Sequence, residues 1–269
     1  MPLYIVGAGL SWEYLTLKAL QILSKADKIY IDTYTSIAPG IDKETLRKLN
    51  PWAEIVEATR SLLEENQRRI IEEAREKNVV VLVPGDPHHA TTHIALQLEA
   101  LAYRVEAYMI PGVSGLQAVI DASGLQVYRF GKPVTLVYPE EYYKPYTAIE
   151  TIRENRQRDL HTLVLLDLRL DQAKAMTIPE AIDILLELEK EYTKKTREDM
   201  IIPSSIIVGV ARAGLEEQKC KAGTPEEVKR EEYPPPPHTI IVAAPRLHPL
   251  EEEALQALCG YKRATIMEK

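Results

Sequence analysis

Val79-Val80-Val81-Leu82-Val83 is a run of five apolar residues with no polar position in it. A strand with one wet face alternates apolar and polar side chains. This run does not, so it predicts a strand covered on both faces, as in a parallel sheet with helices on each side. Further strands are predicted at residues 3–9, 28–32, 55–58 and 103–110. Helical patterns separate them. Residues 14–26 place Leu15, Ala19, Ile22 and Leu23 on one face, and residues 90–102 and 113–122 follow the same period. Ser61 and Glu64 have capping-box spacing, which predicts a charged helix from there to Lys77 with Asn78 as its stop.

The pattern breaks at Phe130-Gly131-Lys132-Pro133 and restarts. Strands are predicted at 134–138, 162–168, 205–210 and 239–243, and helices at 148–157, 178–191 and 250–258. Thr177 is placed to cap the middle helix, with Pro179 in its first turn. Pro234–Pro237 predicts a stiff, extended approach to the last strand. The alternation predicts an α/β fold with mainly parallel pairing, divided near Pro111 into an N-terminal α/β domain (1–111) and a C-terminal one (112–269).

A chain of 269 residues, 45% hydrophobic, can bury cores of that size. Its net charge of −7 argues against a uniformly basic nucleic-acid coat. No stretch approaches the ~20 apolar residues that cross a bilayer. A strand begins at Leu3, so no targeting segment is expected. Cys220 and Cys259 lack metal-ligand spacing and are too few for a disulfide framework, which points to the cytoplasm. Eighteen Pro, two Cys and dense charge suit a thermophile.

Candidate chemistry gathers where predicted strands end. Gly7-Ala8-Gly9-Leu10 follows the first strand, and Asp32 closes the second at the place of a ribose-binding acid. The dinucleotide fingerprint needs a small residue at position 12, but Trp12 stands there. Gly85-Asp86-Pro87 follows the all-apolar strand, and Asp86 supplies a carboxylate for ribose hydroxyls or a cationic ligand. Asp86 equally fits a turn or helix cap. His89 and His93 are four apart, yet Ala90 replaces the Glu of a zinc hydrolase, so no metal is expected. Pro111-Gly112-Val113-Ser114-Gly115-Leu116 offers backbone N–H groups at a helix start, with Ser114 also suited to cap it. It is not a hydrolase elbow. Leu166, Arg212, Ala213 and His238 mark strand ends in the second half, where ordinary core is the competing reading.

In order along the chain, these motifs resemble the diphthine synthase family. The likeness runs through Tyr4–Leu10, Tyr34-Thr35-Ser36, Pro84–Pro87, Ala90-Thr91-Thr92-His93, Gly124–Gly131, Leu160–Leu163, Ala211–Gly214 and Pro237-His238. The Gly-Asp-Pro loop alone marks only the wider tetrapyrrole-methylase-like group. The resemblance implies two α/β domains with S-adenosylmethionine between them. It implies a homodimer, and methylation of the amino group of a 3-carboxy-3-aminopropyl histidine on translation elongation factor 2. Cofactor contacts would fall on Leu10, Asp86, His89, Gly115, Leu116, Leu166, Ala213 and His238. Relatives often carry a small apolar residue at the place of His89, and Ser-Ile at Gly115-Leu116. Contact at His89 would then run through backbone, and Ser114 would supply the hydroxyl.

Amine methylation by a sulfonium needs alignment rather than a covalent nucleophile or a metal. No general base is assigned from the sequence, though His93 and Arg212 merit testing for acceptor orientation. Two other readings remain: a corrin-precursor methyltransferase, and a non-catalytic nucleotide-binding module built on the Gly7–Leu10 turn.

Overall fold

The computed structural model describes residues 1–262. The chain divides into two compact units, one of residues 1–118 and 168–173, the other of residues 119–167 and from 174 onward.

The first unit runs β1 (Leu3–Gly7), α1 (Leu17–Leu23), β2 (Lys28–Asp32), α2 (Lys43–Leu49), β3 (Glu54–Ala58), α3 (Gln67–Glu73), β4 (Val79–Val83), α4 (Ile94–Ala102) and β5 (Ala107–Ile110). Its sheet has the order β3-β2-β4-β1-β5, and every pairing is parallel. The all-apolar run is β4, paired with β1 on one side and β2 on the other. Val79, Val81 and Val83 pack with Ile70 and Ile71 of α3 and Leu96 and Ala100 of α4. Val80 and Leu82 pack on the other face with Ala19 and Leu23 of α1 and Leu46 of α2. Both faces are dry, which is why the run has no polar position. The chain leaves β1 toward β2 and leaves β4 toward β5, in opposite directions along the sheet. That reversal opens a crevice at the carboxyl ends of β1 and β4, where ligands of such sheets bind.

The chain passes into the second unit within α5 (Gly115–Ser123). There follow β6 (Val134–Leu136), α6 (Tyr146–Gln157), β7 (Thr162–Leu166), the two-residue strands β8 (Leu168–Arg169) and β9 (Lys174–Ala175), and α7 (Ile178–Thr196). The rest is β10 (Ile207–Ala211), β11 (Lys219–Gly223), α8 (Pro225–Lys229), β12 (His238–Val242) and α9 (Pro249–Cys259). This sheet has the order β11-β10-β12-β7-β6. Only β6 and β7 are parallel, and the other three pairings are antiparallel. Mainly parallel pairing therefore holds for the first sheet and fails for the second. Connectivity explains one of these pairings: β10 turns directly into β11 with no helix between them, and such a link permits only antiparallel pairing.

Local signals fared unevenly. Thr177 caps α7 in a full capping box with Glu180. The box predicted at Ser61 does not form. Residues Ser61–Glu65 make a π-helical turn, Ser61 Oγ donates to Glu65, and α3 starts only at Gln67. The helix α2, the strand β11 and the short α8 were not foreseen. Cys220 of β11 and Cys259 at the end of α9 are joined in a disulfide. Two cysteines make no framework, but they make one bridge.

Candidate functional site

Three loops meet at the carboxyl edge of the first sheet, after β1, β4 and β5. Their glycines explain the closeness. A Cβ on Gly7 would lie 2.5 Å from Gly112 N and 2.7 Å from Gly85 O, and one on Gly112 would lie 2.2 Å from Gly85 O. Gly9 and Gly85 exchange backbone hydrogen bonds, N to O, at 3.0 and 2.8 Å. Both have left-handed backbones, with φ of 73° and 71°, which glycine adopts without a steric penalty.

Asp86 ties this arrangement together. Its Oδ1 accepts from His88 N at 2.8 Å, and its Oδ2 accepts from Gly112 N at 3.1 Å. The carboxylate is largely buried and still has lone pairs for a ligand hydroxyl or cation. It is thus a clamp between the β4 and β5 loops. His89 is exposed, with Nδ1 3.9 Å from Asp86 Oδ1, and its own N–H donates to the Asp86 carbonyl. Ala90 beside it is held at φ 57°. A non-glycine residue there is strained, and such strain collects at ligand loops.

The first turn of α5 completes this part. Ser114 is buried and its Oγ accepts from Leu116 N at 3.3 Å. A Cβ on Gly115 would lie 4.0 Å from Leu10 Cδ2, so Leu10 leans on this turn. Leu10 and Leu116 are half-buried. Open apolar side chains, backbone N–H groups and a carboxylate stand together here. That combination suits a nucleoside carrying a charged tail, so the residues present fit S-adenosylmethionine.

The second unit holds the remaining candidates at strand ends. Leu166 is buried at the end of β7, and Asp167 N donates to Leu136 O beside it. Ala213 lies half-buried in the loop after β10, and Arg212 before it has φ 50°. Arg212 pairs with Glu217 at 3.3 Å. The His238 ring is committed to structure. Its Nδ1 accepts from Ile178 N at 3.2 Å, and its Nε2 lies 2.6 Å from Pro234 O. Burial pushes its pKa below the usual histidine value, so the ring is neutral at pH 7. Any ligand contact at His238 would have to use its backbone.

The motifs Gly124–Gly131 and Leu160–Leu163 prove to be a buried lock. Glu251, fully buried on α9, accepts from Gln126 N, Arg129 Nη1 and His248 N, and lies 3.0 Å from His161 Nε2. His161 Nδ1 accepts from Ala244 N at 2.9 Å. Gly131 leaves space for Asn155, whose Oδ1 would lie 2.0 Å from a Cβ there. These residues hold the unit together.

One pair escaped the sequence reading because its members are far apart in the chain. His93 Nε2 lies 3.1 Å from Asp32 Oδ2, and both side chains are under 4% exposed. Among the described residues no group of three His, Cys, Asp or Glu could hold a metal, and no helix is long and apolar enough to cross a membrane.

The sequence profile of the Tetrapyrrole (Corrin/Porphyrin) Methylases matches residues 2–229. The diphthine synthase of Staphylothermus marinus is 46% identical over 96% of this chain and 94% of its own. A diphthine methyl ester synthase of Emericella nidulans is 34% identical over 94% of this chain and 92% of its own. A crystal structure of a diphthine synthase superposes with a TM-score of 0.86 at 35% identity, covering 97% of each chain. With that degree of likeness over nearly its whole length, the chain belongs to the diphthine synthase family of the tetrapyrrole methylases.

Proposed function

We propose that the chain transfers three methyl groups in succession from S-adenosylmethionine to one amino group. The acceptor is the amine of the 3-carboxy-3-aminopropyl histidine of translation elongation factor 2, and the product is diphthine. The coarser statement follows from the family: the chain is a methyltransferase of diphthamide biosynthesis. The observation that supports the donor site is the contact of Gly7, Gly85 and Gly112 around the Asp86 carboxylate.

Leu10, Asp86, Ser114, Gly115 and Leu116 would hold the donor in the first unit, with the His89 backbone beside them. The family resemblance adds Leu166, Ala213 and the backbone of His238 to the proposed contacts. The bound sulfonium supplies an electrophilic methyl group. The protein's part is alignment of nitrogen, carbon and sulfur, and such positioning is worth ~7–11 kcal/mol. The acceptor is a protein, so a soluble copy working in the cytoplasm is the fitting arrangement. A homodimer fits the apolar stripe of α4, where Ile94, Leu98 and Leu101 are exposed.

The test incubates the chain with labelled S-adenosylmethionine and precursor-modified elongation factor 2, and counts added methyl groups by mass. Three are expected. Four would place the chain with the methyl ester synthases, and none would overturn the proposal. A corrin precursor run in parallel should stay unmodified.

A further inference from the structure

The first unit leaves a set of buried polar atoms without hydrogen bonds, all at one edge of its sheet. They are Ser11 Oγ after β1, Asp32 Oδ2 at the end of β2, and both ring nitrogens of His93 just before α4. Thr35 Oγ1 is buried close by, next to the Tyr34 hydroxyl, and is not counted with them. Among the described residues no other buried side-chain atom of this unit is without a hydrogen bond. A buried polar atom left unpaired is destabilising by ~1–3 kcal/mol, so several together at a ligand-binding edge need a reason.

The geometry is ordered. Asp32 Oδ1 accepts from Tyr34 N at 2.9 Å and Thr35 N at 3.0 Å. Those two bonds fix the carboxylate and turn Oδ2 toward His93 Nε2 at 3.1 Å, close enough for an ion pair but out of hydrogen-bond alignment. The loop after β1 reaches the same region, because Trp12 N donates to Pro39 O of the loop after β2. Residues 34–39, which begin at the two N–H groups that Asp32 accepts from, are half-buried and lack regular structure.

We infer that Ser11, Asp32 and His93 form the subsite for the acceptor amine, with His93 Nδ1 as the proton acceptor. This rests on the methyl transfer proposed above. The acceptor is an ammonium ion at pH 7 and has no lone pair to offer. Its N–H bond breaks and the proton passes to His93 Nδ1. The freed pair forms the N–C bond to the methyl group, the C–S bond breaks, and its pair stays on sulfur. Asp32 balances the imidazolium and holds its ring, as a positioning residue. Ser11 Oγ accepts a hydrogen bond from the amine. The imidazolium then returns its proton to water. Each transfer releases one proton, and the trimethylated nitrogen has none left to lose.

The experiment uses the full chain with His93→Ala, His93→Gln, Asp32→Asn and Ser11→Ala. Methyl transfer to precursor-modified elongation factor 2, affinity for S-adenosylmethionine by calorimetry, and melting temperature are all measured. For both His93 variants, turnover should fall about 10²- to 10⁴-fold, while donor affinity stays within about threefold of the unaltered chain, an interval far inside that loss. Added imidazole should restore part of the turnover of His93→Ala and none of that of Asp32→Asn. Ser11→Ala should raise KM for the acceptor more than it lowers kcat. Turnover of folded His93→Ala close to that of the unaltered chain overturns the inference. So does loss of donor binding in step with turnover, lack of imidazole rescue, or unfolding of both His93 variants, which would make the pair structural. If the unaltered chain itself transfers no methyl group, the broader proposal fails instead.

Discussion

Gly112 has no room for a side chain. The Gly85 carbonyl would lie 2.2 Å from its Cβ, and the neighbour is backbone that cannot rotate away. Gly112→Ala should therefore push the β4 and β5 loops apart and destabilise the chain by about 1–3 kcal/mol, the usual range for overpacking, with a lower melting temperature as the readout. Asp86 acts by charge rather than by shape. Asp86→Ala removes the acceptor for Gly112 N and the carboxylate offered to the donor. Loss of charge-assisted hydrogen bonds worth ~1.5–3 kcal/mol weakens binding about ten- to hundredfold. Calorimetry with S-adenosylmethionine checks this, and unchanged affinity would remove Asp86 from the site. Both residues were legible in the sequence as loop residues after strands. Their contact with each other was not, because it spans 26 positions and no local spacing encodes it.

At the scale of elements, α9 carries more than its sequence announced. Its first turn buries Glu251 beneath His161 and Arg129. Its last residue, Cys259, is bonded to Cys220 in β11, an edge strand. The helix is thus fastened at both ends. The bridge closes a loop of 39 residues, which chain entropy values at about 4 kcal/mol. Reduction, or Cys220→Ala, should lower the melting temperature by several degrees in a thermal scan. An unchanged midpoint would show that packing alone holds α9. At α7, Thr177→Ala removes a capping box that is present on both sides, and a loss of about 1 kcal/mol is expected by denaturant titration.

The whole molecule should be acid-sensitive. Burial pushes the pKa of His161 and His238 below the ordinary 6.5. Each is then neutral when folded and takes up a proton more readily when unfolded. Below about pH 6.5 the unfolded chain binds the extra protons, so stability falls as pH falls. Glu251 adds to this at lower pH. Burial works to raise its pKa, but the His248 and Gln126 N–H groups and His161 hold it below 4.5, so its contribution fades as it protonates. Melting curves from pH 8 to 4 should be level above 7 and drop steadily below 6.5. A flat profile would contradict the burial of these histidines. At this scale the sequence by itself determined the two α/β cores, the parallel first sheet and the glycine-bearing loops after β1, β4 and β5. Apolar periodicity and glycine turns are local, and each is set by the residue's own neighbours in the chain. Only the tertiary structure decided the antiparallel pairings of the second sheet, the disulfide, the Glu251 lock and the Asp32–His93 pair. Those depend on which distant segments become neighbours, and that follows from how whole layers bury their surfaces against one another.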